Sequence, residues 1–128
     1  MVNSHVTIEL ELPWPPTGNS STRHTRSGIH YKTPEAVRYR AAIAQLLGWK
    51  GLGKEPLTGP LKVEWLLAPP DRRARDVDNA RKEAADALTL GKLWVDDSNK
   101  VIRKETFIWT DPEPKGKIFL TITIGDLT

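Results

Sequence analysis

The sequence predicts an α+β protein, a mixed β-sheet with two main helices in the order β-α-β-α-β-β. Three segments alternate apolar and polar residues with the period of two expected of a half-buried strand. Two others carry apolar residues at helical spacing, and proline or glycine clusters punctuate the joins. The chain has 128 residues, 38% of them hydrophobic, and no internal repeat. That suits a single domain over 1–128 with one modest core.

Val6 to Leu12 places Val6, Ile8, Leu10 and Leu12 on one face and Thr7, Glu9 and Glu11 on the other, which predicts the first strand. Pro13-Trp14-Pro15-Pro16 ends it, because proline lacks the donor that a ladder needs, and the Gly/Ser/Thr/Arg-rich stretch to Lys32 reads as one long loop. Thr33 followed by Pro34 predicts a helix start, with the hydroxyl capping an orphan amide. That helix is expected to run to Leu47, with Val37, Ala41, Ala44 and Leu47 as its apolar stripe, flanked by Ala36 and Ile43, and Gly48 as its stop.

Leu61, Val63, Trp65 and Leu67 predict a second strand ending at Pro69-Pro70. A charged segment, Asp71 to Asp78, leads into a second helix over 79–90, capped by Asp78, with Ala80, Ala84, Ala87 and Leu88 inward and Gly91 near its end. Residues 100–110 and 117–124 predict two final strands.

Composition narrows the chemistry. With no cysteine, thiolate nucleophiles, disulfides and cysteine metal sites are excluded. His5, His24 and His30 lack zinc-site spacing, so any metal is expected to be a hard cation on oxygen ligands. No stretch has the roughly 20 apolar residues of a membrane helix, and no leader pattern opens the chain, so the expectation is a cytoplasmic protein with no membrane contact. The net charge is +3. Its excess lies in residues 13–50, where Arg23, Arg26, Lys32, Arg38, Arg40 and Lys50 face Glu35 alone. Such a run is a solvated surface unless a second observation points to a polyanion.

Asp76 and Asp78 lie two residues apart where a charged loop meets a helix start, so extended backbone would aim both carboxylates to one side. Magnesium takes one or two carboxylates with waters and a substrate phosphate. The competing reading is a helix cap beside a solvated acid. Asp96-Asp97, after Leu93-Trp94-Val95, offers a second acidic spot or simply a polar turn. Lys82 follows Asp78 by one helical turn on the face that continues to Asp86, as surface ion pairs or as an ammonium over a reacting phosphate.

Asp71-Arg72-Arg73-Ala74-Arg75-Asp76-Val77-Asp78-Asn79, then Lys82, Asp86-Ala87-Leu88 and Trp94-Val95-Asp96-Asp97, with Leu12-Pro13-Trp14-Pro15-Pro16 and Asn19 upstream, resembles the RusA-type Holliday junction resolvases. The resemblance covers nearly the whole chain. It implies that Asp76, Asp78 and Asp97 are metal ligands and Lys82 a catalytic lysine, with Asn79 supporting the loop and Asp96 the neighbour of a ligand; sharing or exchange of that role by Asp96 stays open, since sequence does not rank adjacent acids in a turn. It further implies a homodimer that uses Mg²⁺, with Mn²⁺ as a substitute. The expected reaction is opposed nicking of four-way DNA junctions to leave 5′-phosphate and 3′-hydroxyl ends. One position departs from the pattern: Lys92 stands where family members tend to place glycine, with Gly91 one residue earlier, so the turn ending the second helix is expected to differ.

On that reading Arg23, Arg26, Lys32, Arg72, Arg73 and Arg75 are phosphate contacts, with Arg75 alternatively a counter-ion to the neighbouring acids. Trp65 and Trp109 are expected in the core, and His30 and Tyr31 beside DNA. Two alternatives compete: a non-catalytic basic DNA-binding or architectural module, separated by metal dependence, and a nucleotide-sugar transferase using Asp-x-Asp. The transferase needs a larger nucleotide-binding domain and ranks last.

Overall fold

The computed structural model describes residues 6–17, 22–24 and 30–125, and of 22–24 and 30–32 the backbone alone. Its elements are β1 (Val6–Pro13), β2 (Thr22–His24), β3 (His30–Lys32), α1 (Pro34–Trp49), β4 (Leu61–Ala68), α2 (Val77–Leu90), β5 (Ile102–Trp109) and β6 (Lys117–Ile124). The principal elements follow the expected β-α-β-α-β-β order, with a mixed sheet and two helices. Within the stretch read as one loop, β2 and β3 form an antiparallel ladder from Thr22↔Lys32 to His24↔His30. Polar Thr-Arg-His and His-Tyr-Lys carry no apolar alternation, so periodicity had nothing to register there.

The residues group into two units. One takes in the chain up to Trp14, Leu57–Arg75 and the chain from Trp94 onward; the other takes in Pro15–Pro56 and Asp76–Leu93. The first carries the four-stranded sheet, in the order β1-β6-β4-β5. β6 runs antiparallel to both β1 and β4, and β4 runs parallel to β5. Rows of apolar side chains cross it in register: Leu12, Ile118 and Leu67 form one row, and Leu10, Leu120 and Trp65 the next. All six are buried, which fixes register, because a slip of one residue would turn each row to the opposite face. Trp65 stacks on Phe107 at 5.8 Å and donates its indole N–H to Glu105 Oε2 at 2.9 Å, so the ring is buried with its one donor satisfied.

The second unit holds both helices. Thr33 caps α1 as expected, its Oγ1 accepting from Ala36 N at 3.4 Å with Pro34 in the first turn. The buried stripe is Ala36, Tyr39, Ile43 and Leu47; Val37, Ala41 and Ala44, expected inward, are exposed. The large Tyr39 ring sets the orientation that small alanines leave open, and burial first, then the Glu83 charge, pushes its phenol above the ordinary tyrosine range. α2 buries Ala80, Ala84, Ala87 and Leu88 as predicted, together with Glu83, which sequence reasoning missed.

Both helices end in the same hydrogen-bonded turn, the Schellman motif. In α1, Gly51 N donates to Gly48 O at 3.1 Å and Leu52 N to Leu47 O at 2.8 Å; in α2, Lys92 N donates to Thr89 O and Leu93 N to Leu88 O, both at 3.0 Å. The motif needs a left-handed residue after the cap. That residue is Gly51 (φ 73°) rather than Gly48 in α1, and Lys92 (φ 66°) in α2. Gly91 serves a different need, since a Cβ there would lie 2.7 Å from Leu47 Cδ1 of α1. Among the described residues no helix is long and apolar enough to cross a membrane.

Lys92→Gly is expected to stabilise the protein by about 0.5–1 kcal/mol. Relief of left-handed strain, about 1–2 kcal/mol, outweighs the added freedom of the unfolded chain. Gly91→Ala is expected to cost about 1 kcal/mol, because displacing the buried Leu47 side chain outweighs the roughly 0.4–1 kcal/mol gained when alanine narrows the unfolded chain. Urea unfolding followed by tryptophan fluorescence measures both.

Candidate active site

Beyond β4, Pro69 and Pro70 end the ladder and the chain enters a loop built around Asp71. Its carboxylate accepts from Arg73 N at 3.0 Å, Arg73 Nε at 3.2 Å and Arg73 Nη2 at 3.0 Å, and it pairs with Arg75 Nη2 at 2.8 Å. Arg75 Nη1 also donates to the carbonyls of Asp71 (3.0 Å) and Arg73 (3.1 Å), and its guanidinium lies 6.0 Å from the Trp14 ring centroid. Hydrogen bonds from the Arg73 side chain and then its backbone, with help from Arg75, hold the Asp71 carboxyl well below the usual carboxylate range, against some desolvation. Arg75 is only 19% exposed, and its counter-ion is Asp71, not the acids that follow it. Arg73 is engaged but exposed, whereas Arg72 is exposed and enters no hydrogen bond or ion pair with the described residues.

The loop delivers Asp76 to the N-cap of α2. The helix starts at Val77, two residues before expectation, so the capping position falls to Asp76 and Asp78 sits in the first turn. Asp76 has the extended backbone of a cap (φ −92°, ψ 142°), yet its carboxylate makes no capping hydrogen bond. Asp76, Asp78, Asn79 and Lys82 are all exposed, and among the described residues the side chains of Asp78 and Lys82 enter no hydrogen bond or ion pair. The surface ion pairs Asp78–Lys82 and Lys82–Asp86 therefore do not form. Both acids suit the positive end of the helix dipole, a modest effect.

The second acidic spot belongs to the other unit, in the turn between Trp94 and β5. Trp94 is buried and bridges to Leu57, with Val95 N donating to Leu57 O at 3.0 Å. Ser98 Oγ donates to Asp96 Oδ2, and that bond, ahead of backbone donors and Lys100, lowers the Asp96 carboxyl from its ordinary range. Asp96 is thus occupied within its own turn; Asp97 beside it is half-buried. Among the described residues no three His, Asp or Glu side chains stand together as a metal-holding group.

Of the remaining expected residues, Arg26 lies outside the described residues, as do the side chains of Arg23, His30, Tyr31 and Lys32. Trp109, expected in the core, is 42% exposed at the end of β5 and tilts against Trp14 at 6.3 Å. Its position at the end of an edge strand gives it a neighbouring strand, β4, on one side only. That signal was visible only as the terminal place of Trp109 in the predicted strand.

Comparison with known proteins adds an independent finding. Residues 13–123 match the family model described as Endodeoxyribonuclease RusA. The chain is 36% identical over 118 residues to the crossover junction endodeoxyribonuclease RusA of Escherichia coli strain K12, covering 91% of this chain and 94% of that protein. The same figures hold for the enzyme of that name from Enterobacteria phage 82. The protein of that name from Escherichia coli O139:H28 is 35% identical over 121 residues, covering 94% of this chain and 98% of its own length.

Because the Asp71 carboxyl is depressed in the folded chain, the loop order it provides is complete above the ordinary carboxylate range, about pH 4, and is lost as pH falls through the lower folded value. Asp71→Asn is expected to raise hydrogen exchange and proteolytic nicking across residues 71–76 at neutral pH, with little change in the global unfolding midpoint. Carboxyl NMR titration of Asp71 and exchange mass spectrometry of the variant measure these effects.

Proposed function

We propose, from the premise that the chain belongs to the RusA family of endodeoxyribonucleases, that it resolves four-way DNA junctions by opposed, divalent-metal-dependent nicks. The reading includes one endonuclease domain over 1–128, acting in recombination and repair as a cytoplasmic homodimer. The observation that carries it is the state of Asp76, Asp78 and Lys82. All three are exposed at the start of α2, and the capping and pairing that would give them a structural task are absent.

The donors fit a hard cation. Asp76 and Asp78 offer carboxylate oxygens to Mg²⁺, a metal that needs only one or two carboxylates beside water and substrate phosphate. Asp97 is the third ligand of the reading, preferred by the family resemblance, and Asp96, whose Oδ2 accepts from Ser98, stands beside it as the alternative. When bound, the cation would neutralise the scissile phosphate and make a coordinated water acidic enough to serve as nucleophile at neutral pH. Lys82 Nζ carries a mobile positive charge one turn from Asp78, suited to offset the charge that develops on the phosphate during in-line attack. In this reading Arg72 and Arg73 meet backbone phosphates, and Arg23, Arg26 and Lys32, whose side chains lie outside the described residues, are proposed as further phosphate contacts. Arg75 acts differently: tied to Asp71 and two carbonyls, it holds the segment immediately before Asp76.

A labelled four-way junction and a matched linear duplex, each with Mg²⁺ and with chelator, test the reading. Symmetric nicking of the junction only with metal is expected, Mn²⁺ substituting. Equal cutting of both DNAs would reduce the protein to a general nuclease, and binding without cutting would favour a non-catalytic DNA-binding module. Asp76→Asn and Asp78→Asn are expected to lower nicking by at least about a hundredfold, while junction binding in chelator stays equal or tightens as carboxylate–phosphate repulsion falls. Lys82→Ala is expected to slow nicking by a similar order at unchanged binding.

A further inference from the structure

We propose that the cleft at the carboxyl ends of β4 and β5 binds one unstacked nucleotide, its base on Trp109 and its phosphate on Arg72. The proposal rests on the reading of the chain as a DNA enzyme. The cleft has a volume of about 370 Å³ and is walled by Pro69, Arg72, Arg73, Trp109, Thr110 and Pro112. It lies where the one parallel pair of the described sheet ends, between the exits of β4 and β5.

Trp109 pairs in register with Leu67, and its ring is 42% exposed on the cleft wall. Trp14 supports that ring at 6.3 Å, and Trp14 is in turn fixed between the Arg75 guanidinium and Gly116, where a Cβ would come within 2.9 Å of Trp14 Cβ. A supported flat ring loses little conformational freedom when a base stacks on it.

The charge of the wall suits an anion. Three guanidinium groups, those of Arg72, Arg73 and Arg75, face two carboxylates, and Asp71 is already consumed by Arg73 and Arg75 while Asp111 is exposed to water. The Arg72 side chain enters no hydrogen bond or ion pair with the described residues, so its charge is available. An aromatic face beside cations recognises any base by stacking and its phosphate by charge, without reading sequence. A base must leave its stack to enter. The cleft therefore selects DNA with unpaired or readily unstacked nucleotides, such as a junction centre, over intact duplex.

Binding to a fluorescein-labelled oligothymidine and to a four-way junction, measured by anisotropy in chelator over a salt series, tests this. Trp109→Ala is expected to weaken both by about tenfold with an unchanged salt slope, and Trp109→Phe to restore most of the loss. Arg72→Ala should instead lower the slope by about one ion. In the wild-type protein, 5-iodouracil in the oligomer should photo-crosslink to Trp109, a measurement independent of whether the alanine variant folds. Trp109→Ala binding within about twofold of wild type, Trp109→Phe losing as much as alanine, or crosslinks mapping only elsewhere would each overturn the site. Magnesium-dependent nicking by the wild type is scored separately. Nicking with a silent Trp109 overturns the site and leaves the endonuclease reading, and single-strand binding through Trp109 without nicking does the reverse.

Discussion

The parallel pairing of β4 with β5 is the constraint from which the arrangement of chemical groups follows. Antiparallel strands close with a short hairpin, but a parallel pair requires the chain to leave one end of the sheet and return at the other. Residues 69–101 make that return and contain α2. Every acid and the lysine of the proposed reaction lie on this one excursion: Asp76, Asp78 and Lys82 as the chain leaves β4, Asp97 as it approaches β5. The pairing also brings two strand ends side by side, and the nucleotide cleft is the gap between their exits.

Within the exit loop, charge is divided between holding and offering. Asp71 receives two arginines, and Arg75 spends its remaining donors on carbonyls of the same loop. An exposed ion pair alone contributes little, but a network that closes on backbone groups and packs on an aromatic ring restricts the chain. The residues left over, Arg72, Asp76 and Asp78, are the ones proposed to meet DNA and metal.

The sheet was largely legible, because β1, β4 and β6 each bury one face and so write that face into the sequence as alternation. α2 was legible for the same reason, through Ala80, Ala84, Ala87 and Leu88. α1 was read with its stripe displaced: alanines at 41 and 44 match the helical period but bury little area, and Tyr39, amphipathic and easily assigned to the surface, sets the face. Helix ends were misplaced because glycine has two distinct uses here, conformational at Gly51 and steric at Gly91, while Lys92 occupies left-handed backbone without advertising it. At the site, residue types and spacing nominated Asp76, Asp78, Lys82 and the Asp96-Asp97 pair, and the family resemblance alone preferred Asp97 to Asp96. They were silent on which carboxylates were already engaged, since the Asp71–Arg75 and Asp96–Ser98 pairings are matters of side-chain geometry. Trp109 was assigned inward because strand tryptophans usually pack, and its place on an edge depends on strand order, a long-range property that no local window contains.

The rotation of α2 about its own axis is what makes its acids available. Successive helical residues advance by about 100°, so burying 80, 84, 87 and 88 on one side fixes the directions of 78 and 82. A register shift of one residue would carry Asp78 toward the buried side, where an unpaired carboxylate is costly. Two features hold the rotation: the alanine stripe, whose small side chains admit close packing, and the contact of Gly91 with Leu47 at the other end of the helix. Gly91 therefore acts at a distance from the chemistry, and the left-handed residue at Lys92 belongs to the turn whose backbone bonds, Lys92 N to Thr89 O and Leu93 N to Leu88 O, end the helix. The lysine that departs from the family pattern stands where glycine would be easiest, and the two backbone hydrogen bonds of the turn hold it in that left-handed conformation.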